Sequence, residues 1–407
     1  MKKLLVATQY FHPENFRIND MCIEWVKRGY DVTVLTGIPN YPLGDIYDGY
    51  KREYLEEEWE GIHIIRLPIH ERGHNIFTLG LNCYTYVYHG KKWVDKVVRD
   101  NNGKFPYDVF FTYEVSPMTQ ALVGAYATEK YGVKSILYVQ DLWPENVIEI
   151  MGIKNPIVID IIDRMVKKIY KYTNYIFATS ESFVKAIQNK INDKNDIDKV
   201  KFWPQYAEDF YAPLPKNKPN NKFRICFTGN IGKSQGLEVL SETAKLIKED
   251  YSNNNKELDI EFVIVGDGRN KENFIKSLED NDVIDMFQFL GKKDPREIPE
   301  ILSMCDVAFL SFANIDIFKM TIPAKLQSYM ACGMPILASA IGETEKVIKK
   351  ANCGLCSKIC DEESIKFNIN YMINHERLLL DFSRNAREYY LNNFKKDILM
   401  NYIEYFL

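Results

Sequence analysis

Short apolar runs of strand length, separated by stretches of helical periodicity, recur along the whole chain. They fall at 3–8, 31–36, 62–67, 108–113, 135–139, 175–179 and 200–203, and again at 223–228, 260–265, 286–290, 307–310, 336–338 and 354–356. Runs without polar alternation are strands covered on both faces, and their alternation with amphipathic helices predicts parallel sheets joined by right-handed crossovers. The two series are separated by 213–222, rich in Pro, Asn and Lys and lacking apolar periodicity, which reads as an exposed connection. A chain of 407 residues also exceeds what a single hydrophobic core usually organises. The expectation is an α/β protein with two Rossmann-like, doubly wound domains: 1–212, a linker at 213–222, 223–385, and a C-terminal helix over 386–407 that can cross back to the first domain. Open parallel sheets bind ligands at the carboxyl ends of their strands, so two facing sheets would place chemistry in an interdomain cleft.

Composition removes several alternatives. With 46% hydrophobic and 27% charged residues the chain is an ordinary globular one. Its net charge of −4, from 52 basic and 56 acidic side chains, carries no cationic footprint for nucleic acid. The apolar run after Met1 is too short for a signal peptide or a membrane span, and eight scattered cysteines suit a reducing compartment, so a cytoplasmic location is expected. Cys353 and Cys356 form a Cys-x-x-Cys with Cys360 nearby, but no second pair or histidine completes a zinc site, and these read as buried thiols. No Asp-x-Asp stands at a strand end, so no metal and no cofactor are expected. A nicotinamide dehydrogenase is disfavoured because no Gly-x-Gly-x-x-Gly follows the first strand.

The strand exits of the second half hold most of the candidate chemistry. Gly229, Asn230, Gly232 and Gln235 follow the strand 223–228 and lead into a helix, where bare amides and the helix dipole suit a phosphate. The competing reading is a glycine turn that only lets strand and helix pack closely. Gly266 after 260–265, and Gly291 with Lys292 after 286–290, mark tight exits on the same sheet edge, able to hold a nucleobase through backbone groups.

The run Ile322-Pro323-Ala324-Lys325-Leu326-Gln327-Ser328-Tyr329-Met330-Ala331-Cys332-Gly333-Met334-Pro335 and the pair Gly342-Glu343 resemble the C-terminal domain of family 4 retaining glycosyltransferases with the GT-B fold. The branch that builds bacterial capsule and O-antigen sugars is the one approached. The first half agrees through Gln9-Tyr10-Phe11-His12-Pro13-Glu14, through Gly37 to Gly44, and through Val139-Gln140-Asp141-Leu142-Trp143-Pro144-Glu145. The resemblance implies a nucleotide-sugar donor on the second domain and acceptor contacts at His12, Glu14, Asn40 and Tyr41. Two departures stand out. Asn230 and Gln235 occupy the places of the family's diphosphate-binding Arg and Lys, and Met320 and Ser328 those of its two glutamates.

A departing diphosphate still needs positive charge, because charge develops on its oxygens in the transition state. Lys325 and Arg17 are the candidates, each with a solvated surface role as its alternative. Asp141, directly after the strand 135–139, and Glu145 beyond it are placed to orient an acceptor hydroxyl, and Glu343 to contact a nucleoside hydroxyl. The family's front-side chemistry, in which the leaving phosphate accepts the proton, would need no dedicated base.

The expected reaction is transfer of a hexosyl or N-acetylhexosaminyl group from a nucleotide sugar, UDP-linked, to a polyprenyl-diphosphate-linked saccharide. The alternatives are a nucleotide-sugar 2-epimerase and a catalytically inactive nucleotide-binding subunit. Two segments are apolar with cations nearby: 75–89, aromatic-rich and followed by Lys91 and Lys92, and 158–173, with Arg164, Lys167, Lys168 and Lys171 between its apolar positions. They either pack on the first sheet or touch the inner membrane surface.

Overall fold

The computed structural model describes residues 1–191, 193–254 and 259–407. It divides into two compact units, Met1–Trp203 with Ile403–Leu407, and Pro204–Tyr402. The division falls at Trp203/Pro204, ahead of the expected linker. Residues 213–222 are not a free connection: Asn217 N donates to Ser303 O at 3.1 Å and Lys218 pairs with Asp306 at 2.8 Å, both within the second unit.

The first unit is built on eight strands: β1 (Lys3–Ala7), β2 (Asp31–Gly37), β3 (Leu55–Trp59), β4 (Ile62–Leu67), β5 (Val109–Glu114), β6 (Ser135–Val139), β7 (Tyr175–Ala178) and β8 (Val200–Phe202). Their order is β3-β4-β2-β1-β5-β6-β7-β8, parallel except for β3. Strands β1, β2, β5 and β6 are buried almost end to end, as strands covered on both faces must be. The edge strand β3 was not predicted. Its Glu56 and Glu58 side chains are exposed, whereas Glu57 bonds Arg66 Nε at 2.6 Å. Edge strands carry charge because their free backbone would otherwise pair with another chain.

Residues 403–407 close the far side of this sheet. The Phe406 ring meets Tyr175 and Phe177 at 5.0 and 5.1 Å, and Leu407 O accepts from Lys2 Nζ at 2.7 Å. The helices ending the chain are Glu376–Asn393 and Lys396–Glu404, so the single helix expected over 386–407 is two.

The second unit has six parallel strands, β9 (Phe223–Thr228), β10 (Ile260–Val265), β11 (Phe287–Gly291), β12 (Val307–Ser311), β13 (Ile336–Ser339) and β14 (Gly354–Ser357). Their order is β11-β10-β9-β12-β13-β14. In each sheet the winding reverses once, between β1 and β5 and between β9 and β12. Ligand crevices of doubly wound sheets form outside the strand ends at such reversals. Strands β9 and β12 keep register over only two residue pairs, Ile225 with Val307 and Cys226 with Ala308.

Among the described residues no helix is long and apolar enough to cross a membrane, and no group of three or more His, Cys, Asp or Glu side chains is placed to hold a metal ion. All eight cysteines are free. Cys353 is buried and Cys356 partly so, but Cys360 is exposed, which corrects the expectation of buried thiols there.

Candidate functional site

At the β9/β12 reversal the chain leaves β9 through Gly229 at φ +133°, a conformation that favours glycine. Gly266 leaves β10 at φ +138°, and a Cβ there would overlap the Gly229 carbonyl oxygen. The two glycines therefore let the exits of β9 and β10 lie back to back. The Gly229 amide donates to Val265 O at 2.9 Å, and the Ile231 amide to Asp267 O at 2.8 Å. The amides of Asn230 and Gly232 take no partner among the described residues, and these, not that of Gly229, are available to an anion. A turn at Lys233–Gln235 and the left-handed Gly236 separate this loop from the helix Glu238–Asn253, so the helix begins later than its glycines suggest.

Lys325 is the second residue of the helix Ala324–Ala331. A cation at a helix N-terminus opposes the helix dipole. Its ammonium donates to Gln235 Oε1, lies 4.1 Å from the Phe227 ring centroid and faces Gly229, and no carboxylate pairs with it among the described residues. Removal from water pushes its pKa down to about 7. Gln235 is itself fixed from β12, its carbonyl accepting from Ser311 Oγ at 2.6 Å. Gln235 and Lys325 thus meet at the exit of β9, where the ammonium faces Gly229 with no carboxylate beside it among the described residues.

The remaining donor candidates scatter. Ser328, a donor-contact candidate, is buried and its hydroxyl bonds Ala324 O at 3.3 Å within its own helix. Glu343 opens the helix Glu343–Ala351 after Gly342 at φ +80° and is only 5% exposed, with Lys346 at 2.9 Å. Gly291 closes β11 and accepts from the Gly266 amide at 2.8 Å, while Lys292 beside it is exposed. Arg17 belongs to the first unit, as the first residue of the helix Arg17–Lys27.

In the first unit, Glu14 is 1% exposed and accepts from the amides of Phe11 at 3.1 Å, Asn40 at 2.9 Å and Tyr41 at 2.6 Å. Burial pushes its carboxyl up to about 7. Asn40 is also buried, its amide nitrogen on Ile38 O at 2.6 Å and its oxygen on the Arg72 amide at 3.2 Å. Both therefore brace the exits of β1, β2 and β4, which corrects their assignment to the acceptor. His12 stacks on Trp59 at 4.0 Å, and burial lowers its pKa. Tyr41 packs on Tyr10 and Phe16 at 5.1 and 5.2 Å.

Asp141 leaves β6 and accepts from the Ser116 amide at 2.7 Å. Below it lies Glu114, fully buried at the end of β5, its Oε2 accepting from the Gln140 and Asp141 amides at 3.3 and 3.4 Å. Burial, and then the Asp141 charge, hold the Glu114 carboxyl well above the usual carboxylate range. Glu145 is drawn away to Lys190 at 3.0 Å, which removes it from the role expected beside Asp141. Sequence reasoning missed Glu114 and Arg72. Both stand at the ends of strands it had located, Glu114 as the last residue of β5 and Arg72 shortly after β4.

Residues 213–389 match the family described as Glycosyl transferases group 1. The probable glycosyltransferase WbjE of Pseudomonas aeruginosa is 26% identical over 248 residues, 58% of this chain and 56% of that protein. The chain thus spans little more than half the length of that relative. The N,N'-diacetylbacillosaminyl-diphospho-undecaprenol alpha-1,3-N-acetylgalactosaminyltransferase of Campylobacter jejuni is 24% identical, covering 62% of this chain and 65% of its own. Among solved structures, sucrose-phosphate synthase of Thermosynechococcus elongatus superposes with a TM-score of 0.75 at 14% identity, over 100% of this chain and 98% of that one. Anabaena HepE in complex with UDP superposes with a TM-score of 0.67 at 14% identity, over 100% and 99%. The fold is GT-B, and the match to the group 1 glycosyl transferase family lies in the second unit.

Proposed function

We propose that the chain transfers a hexosyl or N-acetylhexosaminyl group, with retention, from a UDP-linked sugar to a polyprenyl-diphosphate-linked saccharide at the inner membrane surface. The observation that carries this is Lys325, a cation without a carboxylate partner among the described residues, facing Gly229 at the exit of β9, where β9 and β12 part. As the anomeric carbon–oxygen bond breaks, negative charge grows on the diphosphate, and preorganised donors in a water-poor site stabilise it best. Protonated Lys325 and the amides of Asn230 and Gly232 fill that role, and Glu343 takes a ribose hydroxyl. The acceptor hydroxyl attacks from the face the diphosphate leaves and passes its proton to the leaving phosphate, while Asp141 orients it. The UDP in the Anabaena structure and the diphospho-undecaprenol in the name of the Campylobacter relative support the choice of donor and acceptor. The sugar nucleotide is a substrate, and this scheme calls on no cofactor.

The test is a panel of UDP- and GDP-sugars offered with a short polyprenyl-diphosphate saccharide, following nucleotide release and acceptor mass. One UDP-sugar is expected to add its glycosyl mass with retained anomeric configuration, and Lys325→Ala to lower the rate by about 100-fold. Nucleotide binding without turnover would instead place the chain with the binding subunits, and a changed sugar without acceptor with the epimerases.

A further inference from the structure

The first unit holds a cavity of about 530 Å3 at its β1/β5 reversal, within the roughly 300–1,000 Å3 typical of small-molecule sites. Its walls include Ile76, Leu79, Cys83, Trp143, Ile150 and Met151. The first three repeat along one side of the helix Ile76–Asp100, whereas Tyr86, Trp93 and Val94 of that helix are buried in the sheet's core. All six lie on one apolar stripe, whose later part packs on the sheet while its N-terminal end faces the cavity, and Ile76 and Ile150 remain 66% and 50% exposed at the lips. Sugar hydroxyls would lose their hydrogen bonds against such walls, whereas an aliphatic chain loses none.

Arg72 is the one charged side chain lining this cavity among the described residues. Its guanidinium lies 5.4 Å from the Tyr41 ring, and among the described residues no carboxylate pairs with it and its buried Nε has no hydrogen-bond partner. An arginine fork left open beside an apolar cavity matches an amphiphile with a phosphate head. Ser116 joins this place to the acceptor side, since it lines the cavity and its amide holds Asp141.

We infer that this cavity seats the isoprenoid chain of the lipid-linked acceptor, with Arg72 gripping the phosphate that joins chain to saccharide. The inference deepens the transfer reading above and rests on it for the source of the amphiphile.

Gly80 lines the same cavity, and a Cβ on it meets nothing within 4 Å. Gly80→Phe should therefore fill the cavity without disturbing the fold, and Gly80→Ala serves as its control. Calorimetry with farnesyl diphosphate on the full chain is expected to show binding that Arg72→Gln and Gly80→Phe each weaken at least ~10-fold. Gly80→Ala, and UDP binding in every variant, should stay as in the wild type. Equal affinity for farnesyl diphosphate and inorganic diphosphate, or unchanged binding in Gly80→Phe, overturns the inference. If farnesyl diphosphate binds as expected while no sugar reaches a lipid-linked acceptor, the cavity stands and the transfer reading falls. If soluble and lipid-linked acceptors react equally well, in wild type and in Gly80→Phe, the transfer reading stands and the cavity assignment falls.

Discussion

Lys325 sits where a small change in protonation has a large effect on binding. Its pKa of about 7 lies below the 10.5 of an unfolded lysine, and a bound diphosphate would raise it again. Above pH 7 a UDP-sugar must therefore bring a proton with it, and its affinity should fall with rising pH. Titrations at pH 6.5 and 8.5 in buffers of different ionisation enthalpy would register the proton uptake. Lys325→Arg should flatten the dependence, because a guanidinium stays charged. Lys325→Ala should weaken UDP-sugar binding by roughly ten- to hundredfold, the ~1.5–3 kcal/mol of a hydrogen bond to a charged group. Glu14 has the opposite leaning: its carboxyl, at about 7 against an ordinary 4.5, holds a proton in the folded chain that the unfolded chain has lost. Stability should then fall as pH rises from about 4.5 to 7 and level off above. Glu14→Ala leaves three backbone amides without their acceptor and should cost about 2–4 kcal/mol, read by urea unfolding. No sequence pattern separates such a bracing glutamate from a ligand contact, since Glu14 lies in a loop and its partners come from two different strand exits.

At the level of elements, the two sheets were legible because parallel strands buried on both faces leave continuous apolar runs, as in Ile260–Val265 and Val109–Glu114. The edge strand Leu55–Trp59 was not, because three consecutive glutamates hide an alternation that only its antiparallel partner Ile62–Leu67 makes visible. The loop after β9 misled in a different way. Its glycines suggested a helix start, but Gly229 and Gly266 are there for the close approach of two strand exits. Gly266→Ala should accordingly lower the melting temperature of the second unit by about 6–12 °C, as an overlap worth roughly 3 kcal/mol would. Gly80→Ala, by contrast, inside the helix Ile76–Asp100 with open space at its Cβ, should raise the melting temperature of the first unit by about 1–4 °C. Arg72 escaped notice for a physical reason too: it lies on a loop with no periodicity, and its meaning comes from a cavity walled by residues distant in sequence.

For the molecule as a whole, the rhythm of strands announced two units but not where they divide. The polar stretch 213–222 looked like a linker because its lysines could as well be solvated, whereas Lys218 is paired with Asp306 and Asn217 bonds Ser303. Nor could periodicity show that residues 403–407 join the first unit, which depends on Phe406 meeting Tyr175 and Phe177. Removing residues 403–407 should lower amide-exchange protection in Tyr175–Ala178 and leave Ile260–Val265 as it was, since these two strands belong to different units. The same arrangement has a consequence for biosynthesis. A ribosome adding roughly 5–20 residues per second needs about 10–40 s to make the stretch Pro204–Tyr402. Throughout that interval the newly emerged first unit presents the Tyr175 and Phe177 rings without their cover, a nascent-chain surface that only later-made residues can close.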